Sequence, residues 1–236
     1  MSRTIIEIDA AALARRVADW LVECIAQSNG PVRIVLSGGS TPRPIYRLLA
    51  RPPRARRISW DRVHLYWSDE RLVPYDSSSS NYGMVRNALI DHVPIPSGNV
   101  HPMAVGVDAQ EAAGRYELML RASYEPDRID PTAPLFDTVL LGIGDDGHTA
   151  SLFPGSPALD EVDRWVVSSI GDRPESRISL TLPALGSARA VAFIATGAAK
   201  RAVVARARGG DIALPAGRVR SNGELFWFLD RASAFS

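Results

Sequence analysis

Short apolar runs at residues 32–36, 63–67, 137–141 and on through 143, 166–169, 178–182, 191–196 and 225–229 alternate with stretches of helical periodicity over most of the chain. Runs this short, dominated by Val, Ile, Leu and Phe, read as strands rather than helices, and their lack of polar alternation takes both faces out of water. Alternating buried strands and amphipathic helices restrict the chain to an α/β fold, with a mainly parallel sheet and helices on both faces. Asp9 is placed to cap a first helix in which Leu13, Val17, Trp20, Leu21, Cys24 and Ile25 recur at helical spacing, ending near Asn29-Gly30. Further helices are predicted through Ile45, Leu48 and Leu49, over 82–90, over 109–122 with Asp108 as cap, and over 198–208. Residues 94–102 and 125–134 read as proline-containing connectors. No repeat or Gly/Ser-rich linker divides residues 1–236, which are expected to form one domain.

The run at 137–143 empties into a loop that presents Asp145, Asp146 and His148 before Pro154-Gly155. Gly142, Gly144 and Gly147 match the spacing of a dinucleotide-binding turn. Two aspartates lie between those glycines and would repel a pyrophosphate, and Pro154-Gly155 would end a following helix within two turns, so that reading is rejected. An isolated histidine in such a loop is more simply structural. Asp146 tips the balance: at i,i+2 on extended backbone it projects to the same side as His148, where a carboxylate orients an imidazole and raises its basicity, as a general base requires.

Other strand ends are polar too. Residues 36–42, LSGGSTP, join a strand to a helix through Gly38 and Gly39, where backbone N–H groups can approach an anion and Ser40 and Thr41 can donate hydroxyls. The missing G-K-[ST] excludes a nucleotide P-loop, while a tight βα turn with a Ser/Thr cap accounts for the same residues equally well. The strand at 63–67 delivers Ser68, Asp69, Glu70 and Arg71, which read either as a surface corner or as part of a ligand site at the carboxyl ends of strands. Arg177 opens a strand and Lys200 starts the helix after another; singly, each reads as a surface cation. Lys200 is nevertheless the only lysine among 27 basic residues, which suggests that a compact ammonium is wanted there.

Composition removes several classes of function. A net charge of +1 with scattered arginines leaves no stripe for nucleic acid, and the one cluster, residues 54–57, reads as a solvated loop. Cys24 is the sole cysteine and is expected in the core, so disulfides and cysteine-rich zinc sites are ruled out and no metal is implied. His92 and His101 read as surface residues, and His64 as part of a strand. No apolar segment approaches the ~18 residues of a membrane span and no signal-peptide pattern is present, so a cytoplasmic protein without a membrane partner is expected.

Taken together, LSGGSTP at 36–42, SDERLVP at 68–74, SNYGM at 80–84, GIGDDGHTASLFPG at 142–155, RISLTLP at 177–183 and TGAAK at 196–200 resemble, in order, the sequence blocks of the glucosamine-6-phosphate isomerase/6-phosphogluconolactonase family, and its lactonases in particular. The resemblance implies a Rossmann-like fold similar to those of glucosamine-6-phosphate deaminase and ribose-5-phosphate isomerase. It implies hydrolysis of 6-phospho-D-glucono-1,5-lactone to 6-phospho-D-gluconate in the oxidative pentose phosphate pathway, with no cofactor. On this reading His148 is the general base and Asp146 orients it, while Gly38, Asp69 and Arg71 face the sugar or the developing oxyanion. Gly39, Ser40, Thr41, Arg177 and Lys200 anchor the phosphate. Asp145 departs from the family pattern, where proline or another residue is more usual, and would add negative charge near the histidine. Nothing in the residues separates a monomer from a small homo-oligomer.

Two rival functions follow from the same reading. A sugar-phosphate isomerase or deaminase of this fold would continue from its histidine as I-A-F-N-E-P, with a carboxylate where this chain has Phe153. A non-catalytic sugar-phosphate sensor would keep the phosphate loop and dispense with His148, and the helix-turn-helix segment of a regulator is not evident here.

Overall fold

The computed structural model describes residues 2–124, 126, 128–169 and 175–235. Its strands are β1 (Ser2–Glu7), β2 (Val32–Leu36), β3 (Val63–Trp67), β4 (Asp69–Arg71), β5 (Phe136–Leu141), β6 (Val166–Ser169), β7 (Arg177–Leu180), β8 (Ala188–Ala195) and β9 (Glu224–Asp230). Its helices are α1 (Ala10–Gln27), α2 (Arg43–Leu49), α3 (Arg54–Arg57), α4 (Asn81–Ala88), α5 (Ala109–Ala122), α6 (Leu182–Gly186), α7 (Arg201–Arg208), α8 (Pro215–Arg218) and α9 (Arg231–Ala234). Six strands hydrogen-bond in the order β1-β9-β8-β5-β2-β3, each neighbouring pair parallel. Such a sheet must be covered on both sides, and the aromatic residues of β9 show how. Phe226 and Phe228 tilt against Trp20 of α1 at 5.2 and 5.1 Å, while Trp227, pointing the other way, stacks on Phe193 of β8 at 4.3 Å.

The predicted caps form. Asp9 accepts from Ala12 N at 2.7 Å, and Asp108 accepts from Gln110 N and Glu111 N at 2.9 and 3.0 Å, satisfying amides that have no partner within their helices. Cys24 is half-buried against the core, where desolvation, reinforced by neighbouring carboxylates, pushes its thiol pKa up to about 12. Among the described residues no helix is long and apolar enough to cross a membrane.

Several expectations need correction. The strands at 166–169 and 177–180 leave the parallel sheet and form, with β4, a separate antiparallel sheet in the order β4-β7-β6. The physical reason is reach: only residues 170–176 join β6 to β7, fewer than the dozen or so that a parallel crossover needs. Part of that connection, residues 170–174, lies outside the described residues, as do residues 125 and 127 of the predicted 125–134 connector. Strand β1 was not expected; it completes the sheet by pairing with β9 from the opposite end of the chain. Residues 54–57 are helical rather than a loop, with Arg54 paired to Asp19 at 2.7 Å. His101 is not a plain surface residue: its ring stacks on Tyr66 at 4.5 Å, and its Nε2 lies 3.1 Å from Nδ1 of His64.

Candidate active site

Parallel strands place all their carboxyl ends along one edge. From β2 the chain steps outward to β3, whereas β5, β8 and β9 lie on the other side of β2, so the strand order reverses between β2 and β5. Ligands of open α/β sheets bind in the crevice at such a reversal. A cleft of about 280 Å³ opens there, lined by Gly38, Gly39, Ser40, Thr41, Asp69, Arg71, His148, Arg177 and Lys200. Of the residues given a role at the site from the sequence, all but Asp146 therefore line one cavity, whereas Glu70 and Asp145, also noted there, do not.

The loop after β2 is pinned by Tyr46 of α2, whose hydroxyl accepts from Ser37 N at 3.1 Å and donates to Ser37 O at 2.8 Å. Gly39 has φ of 96°, a left-handed conformation that favours glycine. Gly38 is required for space, because a Cβ there would lie 1.8 Å from Oδ1 of Asn81. Helix α2 has Pro42 as its N-cap and no side-chain cap, so the alternative in which Ser40 or Thr41 merely caps the helix does not describe this turn.

Strand β4 alternates its side chains. Asp69 and Arg71 line the cleft, while Glu70 points away and is fully buried, accepting from Arg71 N, Asn81 N, Tyr82 N and Ser80 Oγ at 2.8, 2.8, 2.7 and 3.2 Å. Burial raises the Glu70 pKa, and those amide hydrogen bonds offset it only in part. Glu70 thus ties the start of α4 to β4 and carries Asn81 into the site, where its amide donates to Asp69 O at 2.9 Å. Asp69 itself accepts from Ser151 Oγ at 2.7 Å and Ser68 Oγ at 3.2 Å. Arg71 donates to Ser79 O at 2.6 Å, and its Nε is buried without a hydrogen-bond partner among the described residues. Arg71 stands directly opposite Arg177 across the β4–β7 pair. Nη2 of Arg177 also lies 3.7 Å from Oε2 of Glu175, so a carboxylate already offsets part of the like charge that the register sets face to face.

The loop after β5 is built around its histidine. Gly144 N donates to His148 O at 2.8 Å, Gly147 N to Gly144 O at 3.1 Å, and Thr149 Oγ1 to Gly142 O at 2.9 Å. His148 Nδ1 lies 2.6 Å from Asp146 Oδ1, the contact expected from their spacing. Desolvation works to raise the Asp146 pKa, but the hydrogen bonds and charge of His148 outweigh it and hold the carboxyl below its ordinary range. The imidazole packs against Phe153, ring centroids 4.9 Å apart, and the guanidinium of Arg177 lies 5.9 Å from the centre of the same ring. Ala150, next to this wall, has φ of 49°; among the described residues it is the one non-glycine residue at positive φ.

On the far side of the cleft, Asp230 at the end of β9 accepts from Gly197 N at 3.0 Å and fixes the turn that presents Lys200. Lys200 Nζ meets Asp145 Oδ1 at 2.6 Å. Two participants and one contact were missed from the sequence. Asn81 and Ser151 lie within recognisable blocks but carry no local sign of their partners, and the Asp145–Lys200 pair joins residues far apart in the chain.

The pattern described as glucosamine-6-phosphate isomerases/6-phosphogluconolactonase matches residues 8–227. A 6-phosphogluconolactonase of Rattus norvegicus is 41% identical over 230 residues, covering 95% of this chain and 88% of its own. The solved structure of a 6-phosphogluconolactonase from Trypanosoma cruzi superposes with a TM-score of 0.86 at 33% identity, covering 99% of this chain and 96% of that one. A monomeric glucosamine-6-phosphate deaminase superposes with a TM-score of 0.81 over 98% of both chains at 18% identity, a likeness of fold alone. With a parallel sheet that ends in this cleft, and with that pattern spanning nearly its whole length, the chain belongs to the glucosamine-6-phosphate isomerase/6-phosphogluconolactonase family.

Proposed function

We infer that this chain hydrolyses 6-phospho-D-glucono-1,5-lactone to 6-phospho-D-gluconate in the oxidative pentose phosphate pathway. The observation that carries the reading is that His148, held by Asp146, opens onto the same cleft as three cations, Arg71, Arg177 and Lys200. A substrate with a phosphate at one end and an ester carbonyl at the other needs that combination. Because Asp146 accepts from Nδ1–H, Nε2 of His148 keeps its lone pair and takes a proton from water as the water attacks C1. The resulting oxyanion is stabilised by cationic and polar groups of the cleft, Arg71 among them. As the C1–O5 bond breaks, His148 returns the proton to the departing ring oxygen. Gly39, Ser40, Thr41, Arg177 and Lys200 hold the phosphate, and Gly38, Asp69 and Arg71 face the sugar. Where the deaminase pattern has a carboxylate, Phe153 here forms an apolar wall for His148, and a phenyl ring cannot relay a proton. A cytoplasmic setting and a monomeric or small homo-oligomeric state belong to the same reading.

The test is acid release from freshly generated lactone, corrected for spontaneous opening. His148→Gln is expected to lower kcat by ~10²–10⁴. A loss below about tenfold, or release of ammonia from glucosamine 6-phosphate at a comparable rate, would overturn the assignment.

A further inference from the structure

The one lysine of the chain does not face an empty cleft. Its ammonium lies 2.6 Å from Oδ1 of Asp145, and the lysine side chain is only a quarter exposed while the aspartate side chain is 82% exposed. Asp145 reaches it from between Gly144 and Asp146, the residue that holds His148. No other hydrogen bond of the Asp145 side chain is present among the described residues, so the carboxylate can swing into water at the cost of this one contact.

From this geometry we propose that Asp145 is an internal stand-in for the substrate's phosphate: its carboxylate occupies Lys200 in the free enzyme and must be displaced when a phosphorylated ligand binds. The inference rests on the assignment of Lys200 as a phosphate anchor. A carboxylate and a phosphate oxygen make the same kind of charge-assisted contact with an ammonium, and they cannot share one close position on it. Substrate and product carry the same phosphate, so the competition weakens both alike. It acts as a penalty on uniform binding, leaving the chemical step untouched and letting the charged product leave. A lactone without phosphate has no need of Lys200 and is indifferent to it.

Titration calorimetry with inorganic phosphate and with 6-phosphogluconate, on wild type, Asp145→Asn, Lys200→Ala and the double variant, tests this without turnover. Asp145→Asn is expected to bind both anions about two- to fivefold more tightly, the scale of one partly exposed ion pair. KM for the phosphorylated lactone should fall by the same factor. In the Lys200→Ala background the Asp145→Asn gain should vanish. If it persists there, Asp145 acts through the general field of the cleft, and the inference fails. Unchanged or weaker anion binding by Asp145→Asn also overturns it. Wild-type lactone turnover judges the functional reading separately: anion competition without turnover sinks that reading alone, and turnover without competition sinks only the role of Asp145.

Discussion

Gly144→Ala is a one-methyl change aimed at the His148–Asp146 pair. Gly144 does not have a positive φ, so its backbone accepts an L side chain without strain. The difficulty is space: a Cβ would lie 2.0 Å from Nδ1 and 2.2 Å from Cε1 of His148, and 2.6 Å from Oδ1 of Asp146. Ordinary contact begins at 3.4 Å, so the ring must retreat by about 1.4 Å, the difference between 3.4 and 2.0. Nδ1 is in the body of a ring held by Asp146 at 2.6 Å and backed by Phe153 at 4.9 Å, so the retreat breaks the hydrogen bond that sets the tautomer. A misplacement of roughly 1 Å costs on the order of 10²-fold in rate. The assay is kcat on freshly generated lactone, with urea unfolding to confirm that the variant is folded; overpacking on this scale costs ~1–3 kcal/mol. Gly114→Ala on α5, where a Cβ meets nothing within 4 Å, is the control. It should retain activity and gain up to ~1 kcal/mol in stability. A folded Gly144→Ala enzyme with kcat within about threefold of wild type would show that the histidine does not need this position.

Two further predictions concern carboxylates. Folding lowers the pKa of Asp146 from its ordinary 3.8, so its ionised form contributes stability that is fully present above pH 3.8 and is lost as pH falls through the lower folded value. The Asp146 side chain is 45% exposed, so the stability gap between wild type and Asp146→Asn should be under ~1 kcal/mol at neutral pH and should close below pH 3.8; a gap independent of pH would contradict the linkage. Glu70→Gln would turn an amide donor toward the N–H groups of Arg71, Asn81 and Tyr82, and a loss of ~1–3 kcal/mol in denaturant unfolding is expected. Stability within ~0.5 kcal/mol of wild type would mean that α4 is anchored elsewhere.

Local chemistry was legible in the sequence wherever the deciding forces act between near neighbours. The strands at 32–36, 63–67 and 166–169 match their predicted bounds, because a short apolar run between turn residues has few other ways to leave water. The Asp9 and Asp108 caps and the Asp146–His148 contact were legible for the same reason, since each spans two or three residues. What the local sequence could not carry was the choice of partner between remote segments. Whether 166–169 and 177–180 enter the parallel sheet depends on the length of their connection and on β4, a strand of three residues with no apolar signal of its own. Likewise Glu70, read as part of a polar trio at the cleft, turns away because strand alternation gives it the opposite face from Asp69 and Arg71. The facing of Arg71 and Arg177 and the seating of Asn81 against Gly38 were likewise set by sheet register and helix placement. So was the hold of Asp145 on the only lysine, which exists because parallel strands bring the ends of β5 and β8 side by side.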